Sequence, residues 1–220
     1  MLAFVQANRS GAPTAPRPAP LVRHLGLADY AGTYAAMRRF NTERASSTPD
    51  ELWVLEHPPV YTAGIAARPE HFPRTPRTPL VRADRGGQIT YHGPGQAIVY
   101  TLVDLQRARL GVRGMVTLIE DAVIAVLAEH GATGERKPGA PGVYVGGAKI
   151  AALGLRVRGG SCYHGVALNV DMDLAPFADI DPCGYPGLEI TQTSTLGVAG
   201  DARELGTALA ACVAELLASR

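Results

Sequence analysis

Lys149 and Cys183 are the two residues of this chain whose types and settings suit covalent and proton-transfer chemistry. They lie 34 positions apart (183 − 149 = 34), so only a fold can join them. Cys183 sits in Asp181-Pro182-Cys183-Gly184-Tyr185-Pro186-Gly187, where two prolines and two glycines specify a turn. A free cysteine usually packs as a small apolar residue within a regular element. This turn gives it no such element, which leaves an incidental loop cysteine or a reactive thiolate. Lys149 opens the run KIAALGLRV, which alternates like a strand. Alternation puts Lys149, Ala151, Leu153, Leu155 and Val157 on one face and Ile150, Ala152, Gly154, Arg156 and Arg158 on the other. An inward lysine is costly to bury and titrates low, so it suits a base or the partner of a thiolate. The other reading is a strand-end lysine reaching back to solvent. Only Lys137 and Lys149 are lysines among 21 basic residues. A lysine is therefore kept at 149 in a chain that otherwise uses arginine, which cannot serve as a base.

The other chemical candidates lie upstream and just after Lys149. The segment 85–96, RGGQITYHGPGQ, carries four glycines and a proline among polar side chains, a composition that lets backbone N–H groups approach a ligand. It lacks the Gly-Lys-Ser/Thr of a nucleotide-phosphate loop. His92 is either a base or ligand donor, or a histidine bonded in a turn. In 161–170 the alternation places Cys162, His164, Val166, Leu168 and Val170 together. Cys162 then reads as a core thiol, and His164 as an inward residue able to support the site. Cys162-x-His164 has no second pair to complete a metal site, and no metal is expected.

Composition narrows the class. A chain of 220 residues can bury a full core, and a net charge of +1 gives no basic field for nucleic acid. No apolar run approaches the roughly 20 residues of a membrane span, and no signal peptide is expected. Three cysteines without CxxC spacing fit a reducing cytoplasm.

Around the candidate residues the chain must supply a scaffold. Residues 1–20 read as a Pro/Ala-rich leader and 21–220 as one catalytic domain. A helix is predicted over 29–44, with Tyr30, Tyr34, Met37 and Phe40 on its packed face. Strands are predicted at 51–57, 60–64, 80–84, 97–105, 142–146, 149–157 and 161–170, and 67–79 reads as a surface loop. Helices are predicted over 115–127, ending before Gly131, and from a capping box at Asp201 and Glu204 onward; Cys212 lies on that helix's packed stripe. Strands and helices mix without regular alternation. The expected fold class is α/β or α+β, with a mixed, largely antiparallel sheet flanked by helices.

RGGQITYHGPGQ, GGAKIAALGLRV, HGVALNVDMDL and DPCGYPGLEIT, in this order and supported from LWVLEHPPVYTAG at residue 52 through Gly197, resemble the lipoyl(octanoyl) transferases of the biotin/lipoate ligase-like superfamily. The resemblance implies an octanoyltransferase without cofactor. It would pass an octanoyl group from octanoyl-acyl-carrier protein through a cysteine thioester to a lysine of lipoyl domains, those of 2-oxoacid dehydrogenases and of the glycine cleavage H protein. It implies Cys183 as acyl acceptor and Lys149 as the group lowering its pKa. The acyl pocket would be lined by Arg85, Gly86, Gly87, Gln88, Ile89, Thr90, Tyr91, His92, Ala152, Leu153, Gly154, Gly165, Val166 and Ala167. Ile65 and Gln192-Thr193 depart from the family pattern at the rim. A cytoplasmic monomer is expected, with no nucleic-acid or membrane partner. The protein substrates should be acidic, with Arg85, Arg156 and Arg158 as candidate contacts. The rival readings are an ATP-dependent lipoate or biotin ligase, a Cys-His thioesterase or amidase using His92 or His164, and a non-enzymatic lipoyl-domain binder.

Overall fold

The computed structural model describes residues 18–74, 77–182 and 187–220. Cys183 lies outside the described residues, and so does the expected leader as far as residue 17. The described chain runs β1 (Leu21–Leu27), α1 (Tyr30–Glu43), β2 (Glu51–Glu56), β3 (Val60–Ala63), β4 (Leu80–Arg82), β5 (Ile89–His92), β6 (Gln96–Asp104), α2 (Val112–Glu129), β7 (Glu135–Lys137), β8 (Ala140–Val145), β9 (Ala148–Arg158), β10 (Ser161–Asn169) and α3 (Ala202–Ala218). Seven strands form one sheet in the order β1-β2-β6-β10-β9-β8-β7, and β4-β3-β5 form a second. In each sheet one pair is parallel, β1 with β2 and β3 with β4. The other pairs are antiparallel. This is the mixed, largely antiparallel α/β architecture expected from the sequence.

Local chemistry sets these elements. Asp29 caps α1 by accepting the Gly32 N–H at 2.8 Å, and α1 then serves as the crossover that parallel β1 and β2 require. Gly159 and Gly160 both have positive φ (60° and 82°), which gives β9 and β10 the tight two-residue turn of a hairpin. Gly131, at φ 78°, follows the end of α2 in the left-handed conformation that suits glycine. Asp201 and Glu204 form the reciprocal capping box of α3.

The large sheet is covered on both faces. Leu52, Val54, Val99, Cys162, Val166 and Leu168 pack with the apolar stripes of α2 and α3. Trp53, Leu55, Ile98, Tyr100, Tyr163 and Ala167 pack with Met37 of α1. No helix among the described residues is long and apolar enough to cross a membrane.

Two irregularities overturn face assignments made from alternation. Opposite β8 the register moves from Val143↔Ala151 to Tyr144↔Lys149, so Ile150 is one extra residue on β9. Ile150 and Ala151 both pack in the core with α2 and α3, and the alternation through Ala151 does not extend to Lys149. In β10 the left-handed backbone of His164 (φ 63°) turns its ring away from Cys162 and Val166 and stacks it on Tyr163 and Tyr34. Strands β1, β5 and β7 were also not anticipated: β5 hides among glycines, and β1 and β7 are edge strands.

Candidate active site

A cavity of about 290 Å³ lies where β9 and β10 meet the segment from Arg85 to His92. Arg85, Gly86, Gly87, Gln88, Ile89, Thr90, His92, Ala152, Leu153, Gly154, Gly165, Val166 and Ala167 line it, together with Lys149 and His164. Tyr91 does not. Alternation along β5 sends its ring to the far side, among Tyr61, Met172 and Phe177. Tyr30, Ile98, Tyr100, Val116, Gly139, Ala140 and Pro141 complete the wall, and the sequence does not mark them as site residues. Their apolar patterning marks them as core, and nothing in it separates a cavity wall from a packed interior.

Glycines let the backbones close on this space. A Cβ on Gly154 would come within 3.0 Å of Gly86 O and 3.1 Å of Arg85 Cδ, and the Gly86 N–H donates to Leu155 O at 2.8 Å. The glycine-rich segment is thereby pinned over β9. A Cβ on Gly165 would meet Val99 O at 2.0 Å, so only glycine permits the β10–β6 approach there.

Lys149 is 3 % exposed, which excludes the solvent-reaching alternative. Its Nζ donates to Pro141 O at 3.0 Å and lies 5.2 Å from the centre of the Tyr144 ring. The Nζ of Lys137 lies 4.5 Å from the same ring, so both lysines of the chain sit on one buried tyrosine. The Lys149 backbone is held from the other side. Its N–H donates to Glu189 O at 2.8 Å, and its carbonyl accepts the Thr191 N–H at 3.0 Å. Glu189 is six residues past Cys183 (189 − 183 = 6). Upstream, Asp181 accepts from His71 Nδ1 and from Arg74, each at 3.0 Å.

The histidines are structural groups around the cavity. Gln96 Nε2 donates to Tyr91 O and to Asn169 Oδ1, which leaves its Oε1 to accept from His92 Nδ1 at 2.7 Å. His92 Nε2 then takes the acceptor role toward Thr62 Oγ1 at 3.3 Å. Burial, with the nearby His57, pushes the His92 pKa down to about 3. A ring so reluctant to take a proton, with both nitrogens engaged, makes a poor general base. His57 donates from Nδ1 to Ala28 O and accepts from the Tyr100 hydroxyl, and burial lowers its pKa too. His164 Nε2 lies 3.1 Å from Asp84 Oδ1; burial lowers its pKa, and Asp84 opposes that only in part. Burial works against the charge of Asp84. Hydrogen bonds from His164, Tyr163 and Tyr34 outweigh it and hold the carboxyl well below its ordinary range.

Arg85 is not available to dock a protein partner. It is 8 % exposed, and its guanidinium is spent on Thr62 O, Thr62 Oγ1 and Gly86 O. Arg158 is exposed and Arg156 partly so. Cys162 is fully buried in the α2/α3 core, and burial pushes its pKa up to about 11; Cys212, partly buried on α3, is also raised by burial. No cluster of metal-ligating side chains occurs among the described residues.

The family profile of the lipoyl protein ligase A/B catalytic domain matches residues 29–201. A protein of Dechloromonas aromatica named octanoyltransferase is 58 % identical over 190 residues, covering 86 % of this chain and 93 % of its own. One of Aromatoleum aromaticum with the same name is 57 % identical over 209 residues, covering 93 % and 90 %. Among solved structures, a putative lipoate protein ligase from T. acidophilum with bound lipoic acid superposes with a TM-score of 0.73 at 16 % identity, over 91 % of this chain and 86 % of that one. The biotin protein ligase of Aquifex aeolicus superposes at 0.56 and 14 % identity, over 89 % and 70 %. The chain therefore belongs to the lipoyl protein ligase A/B catalytic-domain family, and within it to the octanoyltransferases.

Proposed function

We propose that this protein transfers an octanoyl group from octanoyl-acyl-carrier protein to a lysine of lipoyl domains through a thioester on Cys183, with Lys149 as the proton-handling partner. The observation that carries the reading is the setting of Lys149: a buried amine at the wall of a largely apolar cavity, paired through its backbone with the segment that follows Cys183. A cavity of about 290 Å³ stands at the small end of ligand pockets, and suits a short acyl chain.

In the first step the Cys183 thiolate attacks the thioester carbonyl. A carbon–sulfur bond to Cys183 forms, the one to the carrier breaks, and the departing carrier thiolate takes a proton from the Lys149 ammonium. One thioester replaces another, so no ATP is required. In the second step the acceptor amine attacks the acyl-enzyme. An amide forms, the bond to Cys183 breaks, and the proton lost by the amine passes to Lys149. Apolar walls and the pinned 85–88 segment keep water from the thioester, which favours the amine over hydrolysis.

Intact-mass analysis after mixing the protein with octanoyl-acyl-carrier protein tests this. One octanoyl mass should appear on the enzyme and move to an added lipoyl domain without ATP. A requirement for ATP would favour a ligase, and free octanoate as the main product a thioesterase.

A further inference from the structure

Glu120 is a carboxylate on α2 that the reaction scheme does not use, and it is 6 % exposed. Its two oxygens have separate tasks. Oε2 accepts from Arg136 Nε of β7 at 2.9 Å, and Arg136 is further held by Asp121 and by Thr117 O. Oε1 accepts the backbone N–H of Gly142 at 3.0 Å. Gly142 N–H belongs to the same peptide group as the carbonyl of Pro141, and that carbonyl holds Lys149 Nζ. An acceptor on the N–H side of a peptide polarises it and strengthens its oxygen as an acceptor, so the two hydrogen bonds reinforce each other.

The Lys149 stem and this peptide are closely packed. Gly142 has φ 134°, and a Cβ on it would come within 2.7 Å of Ala151 O, 3.0 Å of Lys149 Cε and 3.2 Å of Lys149 Nζ. The lysine stem lies where a side chain at 142 would be. A rotation of the Pro141–Gly142 peptide would turn its carbonyl away from the amine.

We propose that Glu120 is a positioning residue: by gripping the Pro141–Gly142 peptide it sets the place and direction of the Lys149 amine. The proposal rests on the reading of Lys149 as the proton-handling group for Cys183. Arg136 holds the Glu120 carboxylate turned so that one oxygen faces Gly142.

The test uses the full chain and two readouts: steady-state transfer from octanoyl-acyl-carrier protein, and the rate of Cys183 alkylation by iodoacetamide followed by peptide mass. Glu120→Ala should lower kcat about tenfold and leave the donor KM within about twofold, because binding is untouched and orientation is lost. Glu120→Gln should recover most of the rate, since its amide oxygen can reach Gly142 while Arg136 keeps Asp121 and Thr117 O. In a Lys149→Ala background, Glu120→Ala should change the alkylation rate by less than about twofold, as expected of residues acting through one chain of contacts. If Glu120→Ala fails to fold, Glu120→Asp takes its place: the charge stays, the reach is lost, and the same fall in kcat is expected. Wild-type kcat in Glu120→Ala, equal losses in the Ala and Gln variants, or a full-sized effect in the Lys149→Ala background would each overturn the proposal. Lys149→Ala with wild-type transfer and alkylation would instead remove the role of Lys149, a separate outcome read from the single variant.

Discussion

Lys149 and Ile190 face each other across an isolated parallel bridge, with Lys149 bonded through its N–H to Glu189 and through its carbonyl to Thr191. The segment on the far side of that bridge is the one that follows Cys183 in the chain. Asn169 holds it again by donating to Thr191 O at 3.0 Å, and Gln96 in turn donates to Asn169 at 2.9 Å. A hydrogen-bonded path thus runs from His92 at the cavity through Gln96 and Asn169 to the backbone beside Lys149.

The three cysteines should differ in reactivity. Cys162 has a raised pKa and no exposure, and Cys212 is partly covered on α3. Peptide mapping after reaction with octanoyl-acyl-carrier protein should find the octanoyl group on Cys183 alone. Cys183→Ala should lose transfer by at least about a thousandfold, as for the loss of a covalent nucleophile. An adduct on Cys162 would redirect the mechanism.

Lys149→Arg separates charge from proton transfer. Arginine keeps the positive charge beside Tyr144 but does not give up its proton in the useful range. It is also bulkier and planar where the Lys149 stem already lies close against Gly142, so both half-reactions should slow. Single-turnover kinetics should show transfer to the acceptor lysine slowed more than acylation of Cys183. A wild-type second step in this variant would leave Lys149 a purely electrostatic role.

Gly142→Ala should be costly far beyond its size. The new methyl would meet Ala151 O and the Lys149 stem, in a backbone conformation that disfavours side chains. Overpacking of this kind costs about 1–3 kcal/mol, which thermal unfolding will read as a lower Tm. Transfer should fall more steeply than stability, since the amine is displaced. Gly146→Ala is the control: it removes a positive-φ glycine (φ 57°) with open space around it, and should leave transfer unchanged.

Acid should weaken the fold through its histidines. His57, His92 and His164 are buried with lowered pKa values, so the unfolded chain binds protons that the native state refuses. Their contribution is complete above the ordinary value of 6.5 and is lost as pH falls below it, for His92 down to about 3. Between about pH 7 and about pH 5, His92 alone accounts for about 2 kcal/mol of that loss. Denaturant unfolding of His92→Gln should show a shallower slope over this range. An unchanged slope would mean that native His92 takes up its proton as readily as in the unfolded chain.

Much was legible in the chain itself. Hydrophobic periodicity fixed α1, α2 and α3, because a helix buries one stripe and the stripe is written every three or four residues. The long apolar run of β6 announced a central strand, and four motifs in order pointed to the family. Residue type alone singled out Lys149, since a lysine among arginines at the start of an inward-facing run asks for a reason. Tertiary structure decided what period-two reasoning cannot carry. One extra residue at Ile150 detaches Lys149 from the face of Ala151, and one left-handed residue at His164 reverses its ring. Both depend on how neighbouring strands register, which local sequence does not encode. Partners such as Asp84 for His164, or Glu120 for the peptide that holds Lys149, come from residues 80 and 22 positions away (164 − 84 = 80; 142 − 120 = 22). A contact across that distance exists only after the chain has folded, because its energy depends on position in space and not on separation along the chain.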